Sequence, residues 1–362
     1  MKLQRLVKNA VAIQSIPAPT LSETLRGNEL LKRFKSAHLK DVGTDPAGNV
    51  YGRVPGGDKP PVIVTAHLDS VFKPEDVCPA EVREGRIVGP GIGDNAVALA
   101  SLIELAADLP EKMPAGDVWL VANVAEEGLG NLLGIQHVIE RFGDRVTAYL
   151  VLEGMALGHI YHRGLPIRRF RVVVRGQGGH SWIHAGRPSA VHVLIAIGDE
   201  LLSLPLAERP RTSLNIGRIQ GGTSVNTIAD TAAFEVDIRS ISAGTLDELV
   251  HEVERVVGKP RGEDIEVTLE PIGHRPGGGL PPDHWLVRAA RRAFEAEGLG
   301  VPHLEAGSTD ASLPLSLGLP AVCVGLTYGG DAHSLHEFIE IAPLEPGYLA
   351  VLDLISETFV SA

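Results

Sequence analysis

Apolar residues recur at helical spacing over residues 3–16, and Pro17 and Pro19 end that run. A second helix is expected over 22–37, with Ser22 placed to cap it. The period then changes. Residues 49–54 and the β-branched run 62–66 lie on either side of Pro55-Gly56-Gly57-Asp58, and they read as paired strands around a turn. Asp94-Asn95 opens the strongly helical run AVALASLIELAADL. Residues 118–124 predict a buried strand that ends in Ala125-Glu126-Glu127. A helix is expected at about 131–142, and residues 149–152 form a third core strand ending in Glu153. Strands that alternate with helices predict an α/β fold, a mostly parallel sheet with helices on both faces.

The pattern shifts after Gly164. Residues 167–174 alternate, with Arg168, Arg169, Arg171 and Arg175 among β-branched residues, as a half-exposed strand does. A Gly-rich turn, GQGGHSW, follows. Helices are expected at 188–204 and 245–257, strands at 212–219 and 231–238, and an edge strand at 265–269. The block 166–271 therefore reads as an α+β module inserted into a main domain made of 1–165 and 272–362. The segment HRPGGGLPPD at 274–283 is the expected hinge and return linker. A helix at 284–297, a strand at 321–325 and a closing helix at 348–360 complete the chain.

Composition narrows this picture. A chain of 362 residues with 44% apolar and 22% charged residues is long enough for two ordinary globular domains. Aromatic residues make up only 4%, so the core is expected to be Val, Leu, Ile and Ala. A net charge of −12 argues against nucleic acid or an anionic membrane as the main partner. Cys78 and Cys323 fit no ligand spacing and are expected to be reduced and buried. The first residues lack the apolar core and cleavage site of a signal peptide, and no apolar window is long enough to span a bilayer. A cytoplasmic protein is expected.

The candidate chemistry lies where strands stop. PVIVTAHLDS is an apolar run ending abruptly in His67-Leu68-Asp69, at the edge where open α/β sheets bind ligands. In a His-x-Asp pair the histidine can hold a metal while the aspartate fixes its ring. Asp94, Glu126-Glu127, Glu153 and the His333–His336 segment bring further ligand-type side chains to strand ends or helix starts. Carboxylates crowded at one edge repel one another unless a cation neutralises them. Mixed imidazole and carboxylate donors suit Zn²⁺, or Mn²⁺ or Co²⁺. The Glu126-Glu127 doublet offers one residue as base and one as ligand.

The segments TAHLDSV, GPGIGDN, AEEGLG, LEG, GGHS, GTSVNTIAD, DIRS, STDAS and AHSLHE resemble, in order, the motifs of the dizinc exopeptidase and deacylase family. That family includes glutamate carboxypeptidase, succinyl-diaminopimelate desuccinylase, aminoacylase and tripeptidase T. The resemblance implies a zinc-exopeptidase type of α/β fold, with 166–271 as an inserted lid and dimerisation domain. It implies two divalent metal ions, zinc first with cobalt or manganese as alternatives, held by His67, Asp94, Glu127, Glu153 and His333. Asp94 resembles the carboxylate that bridges both metals, in a family where the following peptide bond is often cis. His336 is the rival to His333, which the His-x-x-x-Glu spacing to Glu337 favours. Asp69 resembles the residue that orients His67, and Glu126 the general base. His180 is similar to the histidine that reaches a partner subunit's site and holds the substrate carbonyl oxygen. Asn226 and Arg239 are similar to residues that bind a carboxylate or carbonyl. Asp310 in STDAS is expected to cap a helix at the rim of the site, with a direct substrate contact as the alternative.

The implied activity is hydrolysis of an amide bond in a small peptide or N-acyl amino acid through a metal-bound hydroxide, in a homodimer joined through 166–271. In the family a glutamate at the place of Glu153 accompanies carboxypeptidases and deacylases, and an aspartate accompanies aminopeptidases. The carboxypeptidase or deacylase type is therefore expected. An aminopeptidase of the tripeptidase T type is the alternative, and a non-catalytic binding protein on the same fold a more distant one.

Overall fold

The computed structural model describes residues 2–361. They divide into two compact units: the residues up to Gly164 together with those from Gly278 onward, and Leu165–Gly277.

The first unit is a mixed α/β structure around a mainly parallel sheet. Strands Gly116–Asn123, Lys59–His67, Ala148–Glu153 and Ala321–Gly325 run parallel in that order. Val50–Val54 pairs antiparallel beside Gly116–Asn123, and Lys40–Thr44 extends that edge. His159–Gly164 pairs antiparallel with Ala321–Gly325 and parallel with His303–Gly307, which joins the sheet through it. The inner strands are apolar along their buried lengths because both of their faces are covered. Leu30, Leu99, Leu102, Val64, Leu120, Leu150 and Ile355 all sit in one fully buried core. No helix among the described residues is long and apolar enough to cross a membrane.

Several expectations change here. Residues 49–54 and 62–66 do not pair with each other, because Gly116–Asn123 lies between them. The link at 55–58 resembles a hairpin, but Val118, Leu120, Val121 and Ala122 are fully buried, and the centre of the sheet is where such a run is covered on both faces. The main helix begins at Val97 rather than at Asp94-Asn95, and Ala96 stands at its N-cap without a side-chain bond. Ser22 does not cap the second helix, Thr24–Ser36; Glu23 occupies the N-cap position, and its carboxylate is used elsewhere. Cys323 is buried as expected, but Cys78 is exposed.

The second unit is a four-stranded antiparallel sheet, ordered Thr212–Gly221, Thr231–Ser240, Ile167–Arg175, Glu266–Arg275. Phe170, Val172 and Val174 alternate inward and pack with helices Ala190–Leu202 and Ala243–Val257. Arg169 and Arg171 face the other way and meet their cross-strand partners Asp237 and Glu235, at 2.8 and 2.6 Å. The last strand runs on to Arg275, so the start of the expected 274–283 linker is ladder, and this unit ends at Gly277 rather than at 271.

Candidate metal centre

Parallel pairing brings several strand ends to one edge. His67 is in register with Asn123, and Glu153 with Gly325. The chain leaving Asn123 carries Glu126 and Glu127 three and four positions on, and the chain leaving Gly325 carries His333.

Asp69 organises the start of this edge. Its carboxylate is fully buried and accepts from the Thr20 hydroxyl at 3.0 Å, Glu126 N at 3.0 Å and Glu127 N at 2.8 Å. Burial alone would raise its pKa; the His67 imidazole and the two backbone N–H groups outweigh burial and hold it below the usual range. Its Oδ1 stands 3.3 Å from His67 Nδ1, and its carbonyl oxygen 3.1 Å. Nδ1 therefore donates to Asp69, and Nε2, facing inward, is the nitrogen left for a metal. Glu23 steadies the same turn by accepting from Leu21 N at 2.8 Å and Ala125 N at 3.0 Å.

Asp94 lies at the centre. Its Oδ1 is 3.0 Å from His67 Nε2, and its Oδ2 is 3.2 Å from His333 Nε2, so one carboxylate offers an oxygen to each of two histidines. His333 Nε2 is also 3.3 Å from Glu127 Oε1, and His67 Nε2 is 3.7 Å from Glu153 Oε2. The Asp94–Asn95 peptide is cis. Asn95 pins it from below, donating to Leu152 O at 2.9 Å and accepting from Gly154 N at 3.0 Å. A Cβ on Gly154 would stand 2.2 Å from the Gly93 carbonyl oxygen, so only glycine lets these backbones approach. From the other side Glu337 Oε1 accepts from Gly93 N at 2.7 Å and Asp94 N at 2.9 Å. The sequence marked Glu337 only as a spacing signal for His333; its role as a clamp on the Asp94 backbone is a tertiary fact. His336 is placed elsewhere, beside Arg83, Arg86 and Phe338 on an open surface.

The electrostatics are those of a site built for positive charge. Burial, and then the Asp94 carboxylate, push Glu127 up to about 7. Burial also drives Glu153 up to about 7, with Asp94 and Glu126 adding to it against the pull of His67. Asp94 itself is held far below the usual range, since His333 and His67 outweigh its burial. Burial alone would lower His67, but Glu153, Asp69 and Asp94 overcome it and raise it well above the ordinary value. The Asp94 and Glu127 carboxylates beside it raise His333 to about 10. In the protein alone, protons on the imidazoles balance the carboxylates. A divalent cation would also balance them, and the donor set fits one: ligand atoms of His67, Asp94 and Glu127 lie within 4.8 Å of one another. Glu127 Oε1 is buried with no well-formed hydrogen bond among the described residues.

Glu126 is buried next to this cluster, and its charge raises Glu127, Glu153 and Asp310. Asp310 does not cap the helix that follows it, where Thr309 Oγ1 takes the Ala311 N–H at 3.2 Å. Instead Asp310 is fully buried and accepts from Asn123 Nδ2 at 2.6 Å.

His180, Asn226 and Arg239 belong to the second unit. Gly179–His180 pairs with Thr227–Ile228, and Ser181 N donates to Asn226 O at 3.0 Å, so the His180 and Asn226 segments are tied together. Both side chains are exposed. The Arg239 guanidinium lies on Asp237, at 2.6 and 3.2 Å, and Asp237 also takes Arg169 at 2.8 Å.

The fold and this donor set define a protein able to hold a divalent metal ion at the edge of a mainly parallel sheet. Residues 63–357 match the peptidase family M20/M25/M40, and the chain belongs to that family. It is 27% identical over 271 residues to a probable carboxypeptidase of Aspergillus terreus, across 67% of this chain and 62% of the fungal protein. The chain thus spans less than two thirds of that relative's length. It is 25% identical over 372 residues to an acetylornithine deacetylase of Proteus mirabilis, across 94% of this chain and 92% of that one. Among solved structures, the aminopeptidase PepT of Bacillus cereus superposes with a TM-score of 0.76 at 23% identity, over 99% of both chains, a likeness of fold.

Proposed function

We propose that the protein hydrolyses an amide bond of a small peptide or N-acyl amino acid, with two divalent cations, zinc first, held by His67, Asp94, Glu127, Glu153 and His333. The observation that carries this reading is Asp94, which turns its two oxygens to two different histidines, each of which also faces a glutamate. Cations held there would supply charge to polarise a substrate carbonyl and to acidify water. Glu126 takes the proton of the attacking water and passes it to the leaving amine. Asp69 keeps His67 in one tautomer and holds the backbone of Glu126 and Glu127 in place. His180 donates a hydrogen bond to the carbonyl oxygen as negative charge develops on it. A cytoplasmic location belongs to the same reading, supported by the likeness to the bacterial deacetylase; recovery of the protein outside the cytoplasmic fraction would refute it.

The favoured direction is carboxypeptidase or deacylase, supported by Glu153 and by the similarity to a carboxypeptidase and a deacetylase. Arg239 with Asn226 is the proposed reader of the substrate carboxylate. The Arg239 guanidinium pairs with Asp237, and the Arg239 side chain is 40% exposed. Amidating the substrate's carboxylate is expected to raise KM by at least ~10-fold, the loss of one charged hydrogen bond of about 1.5–3 kcal/mol. Acetylating its amino end should be tolerated, and Arg239→Ala should show the same selective loss. An enzyme that rejects N-acetylated substrates and cleaves carboxamides freely is the aminopeptidase alternative.

A homodimer through the second unit completes the proposal. Its edge strand Thr212–Gly221 is paired on one side only, and Ile195, Leu202 and Ile219 are exposed. Mixing His180→Ala with Glu126→Gln subunits should restore activity, because one site of the heterodimer then has both groups. A fully active monomer by light scattering would refute it.

A further inference from the structure

The loop at 179–184 holds two histidines in a reciprocal clasp. His180 N donates to His184 Nδ1 at 2.9 Å, and His184 N donates back to His180 O at 2.9 Å. Inside the turn so closed, the backbone N–H groups of Trp182 and Ile183 both point at His180 Nδ1, at 3.2 and 3.4 Å. A ring nitrogen that accepts hydrogen bonds carries no proton, so the neutral His180 ring must carry its proton on Nε2. Gly179 makes the clasp possible. Its φ is +144°, and a Cβ there would stand 2.6 Å from His184 Nδ1.

We propose that His184 is a positioning residue that locks His180 in the Nε2–H tautomer, with the donor turned outward. This rests on the reading of His180 as the group that holds the substrate carbonyl oxygen. The sign of the interaction gives the lock its purpose. An Nε2–H attracts a carbonyl oxygen and holds it more strongly as charge develops, whereas a bare Nε2 lone pair repels it. Without the His184 ring, His180 N loses its acceptor and the turn loosens. The Trp182 and Ile183 N–H groups then swing off Nδ1, and the wrong tautomer becomes accessible. The cost falls on the transition state, so kcat drops and KM hardly moves.

The test uses full-length protein with ring-¹⁵N histidine, the His180 signal being assigned by its loss in His180→Ala. With the ring in its neutral form, wild-type His180 should show Nε2–H alone. His184→Ala should show both tautomers, with kcat lowered roughly tenfold, short of the ~10²–10³-fold loss on removing an oxyanion donor. His184→Asn, whose side-chain oxygen can accept the His180 N–H, should restore both the spectrum and kcat. A His184→Ala protein that keeps the single Nε2–H signal overturns the lock. Should that variant fail to fold, the wild-type spectrum decides, and an Nδ1–H signal from His180 overturns the proposal. If His180→Ala turns over at the wild-type rate, the catalytic purpose fails together with the reading beneath it, while the spectra still judge the lock alone.

Discussion

Glu126→Gln is expected to lower kcat by at least the ~10²–10⁴-fold typical of a lost acid–base group, while metal content stays at the wild-type level. The reason lies in how the residue is held. Its N–H is fixed on Asp69 at 3.0 Å, in a turn also tied by Glu23 to Ala125, and neither contact involves its side chain. Gln keeps the size of the side chain and removes its charge and its ability to take a proton. Glu127, next in the chain, cannot substitute, because its carboxylate faces His333 at 3.3 Å. The loss should appear in kcat and in kcat/KM alike, since the missing group acts in the transition state. Elemental analysis alongside steady-state kinetics checks the pair of statements. Near-wild-type turnover would remove Glu126 from the mechanism, and lost metal would make it a ligand instead.

The second large effect is expected on metal binding. Exhaustive chelation should abolish activity, and added zinc, cobalt or manganese should restore it. His333→Ala should weaken metal binding by more than ~10–100-fold, the range for residues that merely support a ligand. His336→Ala should leave it unchanged, because His336 lines a separate surface with Arg83 and Arg86. Affinity should also fall as the pH drops. Burial and neighbouring charge push Glu127 and Glu153 up to about 7, so below that pH a cation must displace their protons. His333 is raised to about 10 in the metal-free protein by Asp94 and Glu127, so affinity should keep rising above neutrality as that proton too is lost. Calorimetric titration in buffers of different ionisation enthalpy measures the protons released. Binding that is independent of pH between about 6 and 8, or a His336→Ala variant that loses metal, would overturn this assignment.

The clasp around His180 and the clamps around Asp94 illustrate where sequence reading stops. His67, Glu127 and Glu153 were legible as ligand candidates because each closes a buried apolar run, and an abrupt polar end on such a run is unusual. The alternation in 167–174 was legible for a similar reason, since the inward Phe170, Val172 and Val174 and the outward Arg169 and Arg171 repeat with the period of a strand. These are local signals, written within about ten residues.

What the sequence by itself determined is therefore the parts: buried strands, their polar ends, the helices between them and the motif set that places the chain in its family. Only the tertiary structure decided how the parts meet. It set Gly116–Asn123 between two strands that look like a hairpin, and it aimed the two oxygens of Asp94 at two histidines. It gave the Glu126–Glu127 turn to Asp69, and the Asp94 backbone to Glu337, across more than two hundred intervening residues. It also put Asp310 beneath the site rather than on a helix cap, and paired Arg239 with Asp237. The physical reason is common to all of these. A hydrophobic period depends on a residue's near neighbours, but a hydrogen bond between distant segments depends on which strand lies beside which. That order is set by how the whole chain buries its apolar faces, and no short stretch records it.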